Sequence, residues 1–148
     1  MKIAISLLII IATFLFMEFV AWAVHKYIMH GVLWTLHEDH HVVNHDSFFQ
    51  KNDYFFLIFA IPSIILIFIG HENLTIGFFI GLGIALYGLA YFLIHEVIIH
   101  RRLPPPSKTK SKYIKAIRKA HKIHHKTLGK YGASSFGMLI VSKKYFKQ

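Results

Sequence analysis

The stretch His121-Lys122-Ile123-His124-His125 completes a set of four histidine clusters, and the reading of those clusters decides the fold. The others are His25-Lys26-Tyr27-Ile28-Met29-His30, His37-Glu38-Asp39-His40-His41 and His95-Glu96-Val97-Ile98-Ile99-His100. Ten of the twelve histidines therefore fall into two copies of one order, a pair spaced i, i+5 followed by a trio spaced i, i+3, i+4. Chance does not produce such an order. In a helix the three positions of a trio lie within roughly 100° of arc, so each trio points its rings the same way. The pairs sit about 140° apart on a regular helix. His25 and His30, or His95 and His100, can share a site only where the helix ends or bulges between them. Gly31 offers an end for the first pair, and Arg101-Arg102 with the prolines beyond offer one for the second.

Working outward, each pair follows a long apolar run. Of the 148 residues 55% are hydrophobic and 16% aromatic, well above a soluble domain of this size, so the chain reads as one membrane-embedded domain, 1–148. Ile3 to Val24 is interrupted only by Ser6, Thr13 and Glu18, and at roughly 1.5 Å per residue it crosses a core of about 30 Å. A cleaved leader is the competing reading, since Lys2 precedes the run and Ala21-Trp22-Ala23 resembles a cleavage site. The run exceeds the usual leader core of about 7–15 residues, and cleavage would leave His25 beside a new terminus, so we read an anchor.

Met29 to Asp53 is too charged to enter lipid. Asn52 or Asp53 then caps a second apolar run, Tyr54 to Ile69, kinked at Pro62. The brief turn Gly70-His71-Glu72-Asn73 makes the third run, Leu74 to Ile94, its antiparallel neighbour. Gly77, Gly81, Ala85 and Gly88 form a small-residue stripe for close helix approach, and Pro104-Pro105-Pro106 stop any helix beyond the second pair. Ser111 caps a final amphipathic helix to about Lys126. Its Ile114, Ile117, His121, His124, His125 and Leu128 share one side, and Lys112, Lys115, Lys119, Lys122 and Lys126 form a stripe away from it. Gly129 to Gly137 reads as a small-residue loop, and Met138 to Val141 is too short to span.

Of 17 basic residues, 14 lie from Arg101 onward, where there is no Asp or Glu. In a chain with membrane spans this asymmetry reads as retention on the cytoplasmic face beside anionic lipid rather than as nucleic-acid binding. The fold expected is all-α and integral to the membrane, with three to four transmembrane helices, a histidine-rich layer on the cytoplasmic face and an amphipathic interfacial helix. The N-terminus and the 70–73 turn fall outside, all four clusters inside.

With no cysteine, thiolate metal sites and cysteine nucleophiles are excluded. Neutral imidazole suits iron, zinc, copper or nickel, whereas oxygen-seeking metals would want more than seven carboxylates. Ten ligands shared by two metals give five each, which leaves one position open on an octahedral ion, whereas structural zinc prefers four ligands and a closed shell. Two irons with open positions could activate dioxygen against a C–H bond. The ligand candidates are His25, His30, His37, His40, His41, His95, His100, His121, His124 and His125. Glu18, two turns before His25 and inside the membrane, is a candidate to orient a ligand ring through its second N–H; Glu38, Asp39 and Glu96 stand beside ligands. His45 and His71 fall outside the clusters. A b-type cytochrome would use single histidines on facing helices, so adjacent His40-His41 and His124-His125 would be wasteful. A metal transporter would carry polar residues along its spans, and these are oily apart from Glu18.

The order of the clusters, together with Met17-Glu18, His25 to Gly31, Asn52-Asp53, Tyr87-Gly88 with Tyr91-Phe92, Ala120-His121 and Ser135-Phe136-Gly137, resembles the bacterial β-carotene 3-hydroxylases of the membrane fatty-acid hydroxylase superfamily. The resemblance covers nearly the whole chain. It implies an O2-dependent di-iron monooxygenase of the bacterial inner membrane that hydroxylates carbon 3 of the β-ionone rings of β-carotene. It makes the ten histidines iron ligands and ferredoxin or a similar donor the source of electrons. A hydrocarbon substrate would enter sideways from the bilayer, with Trp22, Tyr27, Trp34, Tyr91 and Phe92 as candidates to line that entry. A hydroxylase of another lipid, a fatty acyl chain or sterol, and a non-enzymatic metal-binding membrane protein are the alternatives.

Overall fold

The computed structural model describes residues 2–42, 49–103 and 109–147, and every element among them is helical. Helix α1, Ile3–Ala23, runs on into a π-helical turn, Val24–Val32. A kink at Gly31 leads to the short helix α2, Trp34–His41. A 3-10 turn, Lys51–Asp53, opens helix α3, Tyr54–Gly70. Helix α4, Ile76–Phe92, continues into a second π-helical turn, Leu93–Ile99. Helix α5, Lys112–His124, is followed by an irregular segment and a 3-10 turn, Lys143–Phe146. Three stretches, Ile3–Val32, Lys51–Gly70 and Ile76–Ile99, are long and apolar enough to cross a membrane. The expected all-α membrane architecture is the observed one.

Helix α4 packs between α1 and α3, and a different glycine makes each approach possible. A Cβ on Gly81 would lie 2.9 Å from the Ser63 carbonyl oxygen of α3, and Ser63 Oγ donates to the Gly81 carbonyl at 2.8 Å. On the other side, a Cβ on Gly83 would lie 2.6 Å from Thr13 Cβ and 2.9 Å from the Ile10 carbonyl oxygen of α1. The small-residue stripe is thus half right. Gly77 and Gly81 serve the α3 face, Gly88 has nothing within 4 Å, and Gly83, off the stripe, serves α1.

The expected capping is found one turn earlier for Asp53 and not for Asn52: the Asp53 carboxylate completes a capping box on the 3-10 turn that opens α3, accepting from Gln50 N at 3.0 Å, and also pairs with Arg102 at 2.9 Å. Asn52 is spent on a histidine, described below. Thr75 caps the start of α4, its Oγ1 accepting from Phe78 N. Pro62 lies inside α3, which continues to Gly70. The proline triplet and His45 lie outside the described residues.

Burial is inverted relative to a soluble domain. Leu15, Phe16, Phe19, Phe56, Ile64 and Phe68 are exposed on the spans, as a lipid-facing surface requires. The largest fully buried side chains are Ile117, His37, His40, His95 and His124. The interior of this molecule is a layer of imidazoles where the ends of α1 and α4 meet the start of α3. Helix α5 covers it. Ser111 Oγ accepts from Ile114 N, Ala116, Ile117, Ala120, His121 and His124 are buried, and the five lysines of the expected stripe are exposed. Leu128, expected on the inner side, is exposed because the helix ends at His124. Tyr145 packs back on Ala116 and Ala120.

Candidate metal centre

The π-helical turns answer the problem of the i, i+5 pairs. In each turn an amide bonds to the carbonyl five residues earlier, Leu33 to Ile28 and His100 to His95, both at 2.9 Å. The wider turn brings residues five apart onto one side. His25 and His30 therefore face one site, and His95 and His100 another.

The first site gathers His25, His30, His37, His41 and His124, with ligand atoms within 4.8 Å of one another. Nε2 of His25 lies 3.2 Å from that of His37, and Nε2 of His30 lies 3.1 Å from that of His41 and 3.2 Å from that of His124. The second site gathers His40, His95, His100 and His121. Nε2 of His40 lies 3.2 Å from that of His95, and Nε2 of His100 lies 2.8 Å from that of His121. The ring of His125 lies against both groups, its centroid 4.4 Å from His121, 4.7 Å from His40 and 4.6 Å from His41, and its Nε2 is buried without a hydrogen-bond partner. Each trio therefore splits between the sites instead of pointing one way. His37 and His41 lie in the first and His40 in the second, while His121 lies in the second and His124 in the first.

What turns the rings inward is a set of acceptors behind them. Nδ1–H of His25, His30, His41 and His124 donates to the carbonyls of Phe136, Lys130, Thr127 and Ser134 at 2.8–3.0 Å. His37 donates to Asn52 Oδ1 at 2.7 Å, His40 to Gln50 Oε1 at 3.0 Å and His95 to Glu96 Oε1 at 2.5 Å. A neutral imidazole that donates from Nδ1 presents a lone pair at Nε2. Seven rings are thus fixed with their Nε2 lone pairs converging, an arrangement in which none can donate to another.

Protons do not fill the gap at neutral pH. Burial, and then the other imidazoles, push His41 down to about 4, His37 to about 3 and His125 to about 2. Burial likewise takes His124 to about 3, and burial with the neighbouring Arg102 takes His100 to about 4. Converging lone pairs on neutral rings, with no carboxylate among them, suit metal cations of the imidazole-preferring class. The residues fit two such ions.

The carboxylates divide. Glu96 accepts from His95 Nδ1, and Arg102 pairs with Glu96 and Asp53, both at 2.9 Å. Glu18 does not reach a ring. Its Oε1 accepts from Met138, Leu139 and Ile140 N and its Oε2 from Tyr87 OH. Asp39 accepts from Lys51 N instead of from a histidine. Trp34 lies against His30, His37 and His41, and Tyr91 against His95. Trp22 and Tyr27 stack edge-on with Lys26 over both, and Phe92 is exposed. His71 is exposed at the far turn and donates to the Phe68 carbonyl. Sequence reasoning missed Gln50 and the four loop carbonyls. The carbonyls have no side-chain signature; Gln50 stands just ahead of the noted Asn52-Asp53.

Residues 10–143 match the sequence profile of the family described as fatty acid hydroxylase. The chain is 37% identical to a β-carotene hydroxylase of Paracoccus sp. over 90% of its own length and 83% of the relative's. It is 39% identical to a β-carotene hydroxylase of Pantoea ananas, over 89% and 75% respectively. A chloroplastic β-carotene hydroxylase 2 of Capsicum annuum is 35% identical over 86% of this chain, which spans 42% of that longer relative. No solved structure matches the chain.

Proposed function

Because this chain belongs to the fatty acid hydroxylase family, we propose that it is a membrane monooxygenase that hydroxylates carbon 3 of the β-ionone rings of β-carotene, giving β-cryptoxanthin and then zeaxanthin. The observation that carries the reading is the pair of imidazole clusters whose Nε2 lone pairs converge while their Nδ1 protons are engaged behind them. The names of the bacterial relatives supply the substrate class.

The ten histidines are the metal ligands in this reading, five to a site, and residues 1–148 act as one domain. Iron bound there would activate dioxygen, so that one oxygen atom enters a C–H bond and the other leaves as water with two electrons and two protons from ferredoxin or a similar donor. The chain's own contribution is orientation and enclosure. Carbonyls, amide oxygens and the Glu96 carboxylate hold seven of the ten rings in one tautomer. The Thr127–Phe136 segment and α5 cover the layer, and His37, His40, His95 and His124 are at most 2% exposed. Trp34 and Tyr91 flank the two sites, and Trp22, Tyr27 and Phe92 present an aromatic surface on the lipid side, where a hydrocarbon substrate resides. The lysine stripe of α5 and the basic tail set the histidine layer on the cytoplasmic side of a bacterial inner membrane.

The test is pigment chromatography of β-carotene-producing bacteria carrying this gene, with His121→Ala and His40→Ala as controls. Zeaxanthin from the wild type alone is the expected result. Unchanged β-carotene with the protein expressed in the membrane would overturn the substrate and point to another lipid.

A further inference from the structure

We propose that Glu18 is a positioning residue for one of the two histidine sites only, acting through a backbone strap that it clamps; the inference rests on the metal-site reading above. Glu18 is buried in α1, at 6% exposure, and a carboxylate at that depth needs compensation. It has four donors. Its Oε1 accepts from three consecutive amides, Met138 at 3.0 Å, Leu139 at 2.8 Å and Ile140 at 2.9 Å, and its Oε2 accepts from Tyr87 OH at 2.8 Å. Consecutive amides converging on one oxygen form an anion cradle. Here the anion is part of the protein, so the cradle is a clamp.

What the clamp holds is the segment immediately before it. Within Thr127–Phe136 lie the four carbonyls that accept from His41, His30, His124 and His25. These are four of the five rings of the first site; the fifth, His37, is held by Asn52. The described supports of the second site come from elsewhere, Gln50 for His40 and Glu96 for His95. Release of the strap therefore removes the orientation of the first site and leaves that of the second in place.

Gly137 joins the clamp to the carbonyls. A Cβ there would lie 2.8 Å from the Ile140 carbonyl oxygen and 3.3 Å from Glu18 Oε1, so even alanine must push the strap away from Glu18. Gly137→Ala is thus a second way to release it, one that removes no polar group.

The experiment measures metal per chain, by elemental analysis of detergent-purified protein reconstituted with ferrous iron, with helical content followed by circular dichroism. Expected are about two irons in the wild type and about one in Glu18→Ala and Gly137→Ala, since losing supports behind ligands weakens a site severely. Glu18→Gln, whose amide oxygen still accepts from the three amides, keeps about two. A merely structural role would not give the pattern in double variants. Adding His95→Ala to Glu18→Ala takes the count to about zero, whereas adding His25→Ala leaves about one. Two irons in Glu18→Ala, none in that variant with helical content kept, or one in Glu18→Gln would each overturn the proposal while leaving the metal reading intact. A wild type that takes up no iron would overturn both.

Discussion

Replacing Asn52 by alanine tests the tautomer argument at a residue that touches no metal. Its Oδ1 accepts from His37 Nδ1 at 2.7 Å, with His37 1% and Asn52 7% exposed. Alanine leaves a buried N–H without a partner, which costs about 1–3 kcal/mol. It also frees His37 to take the other tautomer, whose protonated Nε2 cannot bind a cation. Partners behind metal-bound histidines are worth about 10–100-fold in affinity, or about 1.4–2.8 kcal/mol, and the two ranges agree. Asn52→Ala should therefore weaken the first site by about 10–100-fold, whereas Asn52→Asp keeps an acceptor of the same shape and holds the metal. Chelator competition in detergent, read as the concentration that strips the first of the two ions, measures this. Affinity in Asn52→Ala within about twofold of wild type would refute the claim that Nδ1 partners set the lone-pair direction.

Three further outcomes follow from the same geometry. The metal-free protein should lose thermal stability as the pH falls: unfolded imidazoles take protons near pH 6.5, whereas folded His41 and His100 do so near 4 and His37 near 3. Between those values the unfolded chain binds more protons, so stability declines from about pH 6.5 toward about 4; a flat melting profile there would contradict the buried, neutral rings. Gly83→Ala should cost about 1–3 kcal/mol by forcing α4 off Thr13 and Ile10, while Gly88→Ala, with nothing within 4 Å, should leave the melting temperature unchanged or slightly raised. Glu38→Pro, which breaks α2 beneath His37, His40 and His41, should remove both ions, whereas His100→Ala should remove one; equal losses in elemental analysis would argue against separate sites.

The spans and the convergence of the clusters at one face were legible because hydrophobic length and the positions of the pairs constrain topology strongly. The pairing of imidazoles was only partly so. Spacing said that His25 and His30 needed a bulge or an end, and the π-helical turns supply the bulge, with the kink at Gly31 following it. Spacing also suggested that each trio faces one way, which is true of the helix face and untrue of the individual sites. An arc of roughly 100° is wide enough to address two neighbouring targets. Glu18 was singled out for the cost of a carboxylate in a membrane, and its partners were assigned wrongly because they are amides of a segment more than a hundred residues later. Asn52 and Asp53 both look like helix caps; Asp53 is one, in the capping box of the 3-10 turn, whereas Asn52 supports His37. Local sequence cannot distinguish a polar side chain that closes its own helix from one that reaches a neighbour.

The split of each trio also explains why adjacent histidines are not wasteful. His40 and His41 have ring centroids 6.2 Å apart and lie in different sites, and His124 lies in the first site with His125, 5.6 Å away, against rings of both. A single bound ion would need only one member of each doublet. The duplication gives two groups of imidazoles with no carboxylate among their ligand atoms. Both helices serve both sites: α2 gives two rings to the first site and one to the second, and α5 gives one to each. Each site takes one i, i+5 pair from the end of a span together with members of both trios. Two copies of one sequence order thus produce two similar sites without either copy building a site alone. Both groups draw rings from both short helices, so seating α2 and α5 against the ends of the spans is what brings the two clusters together.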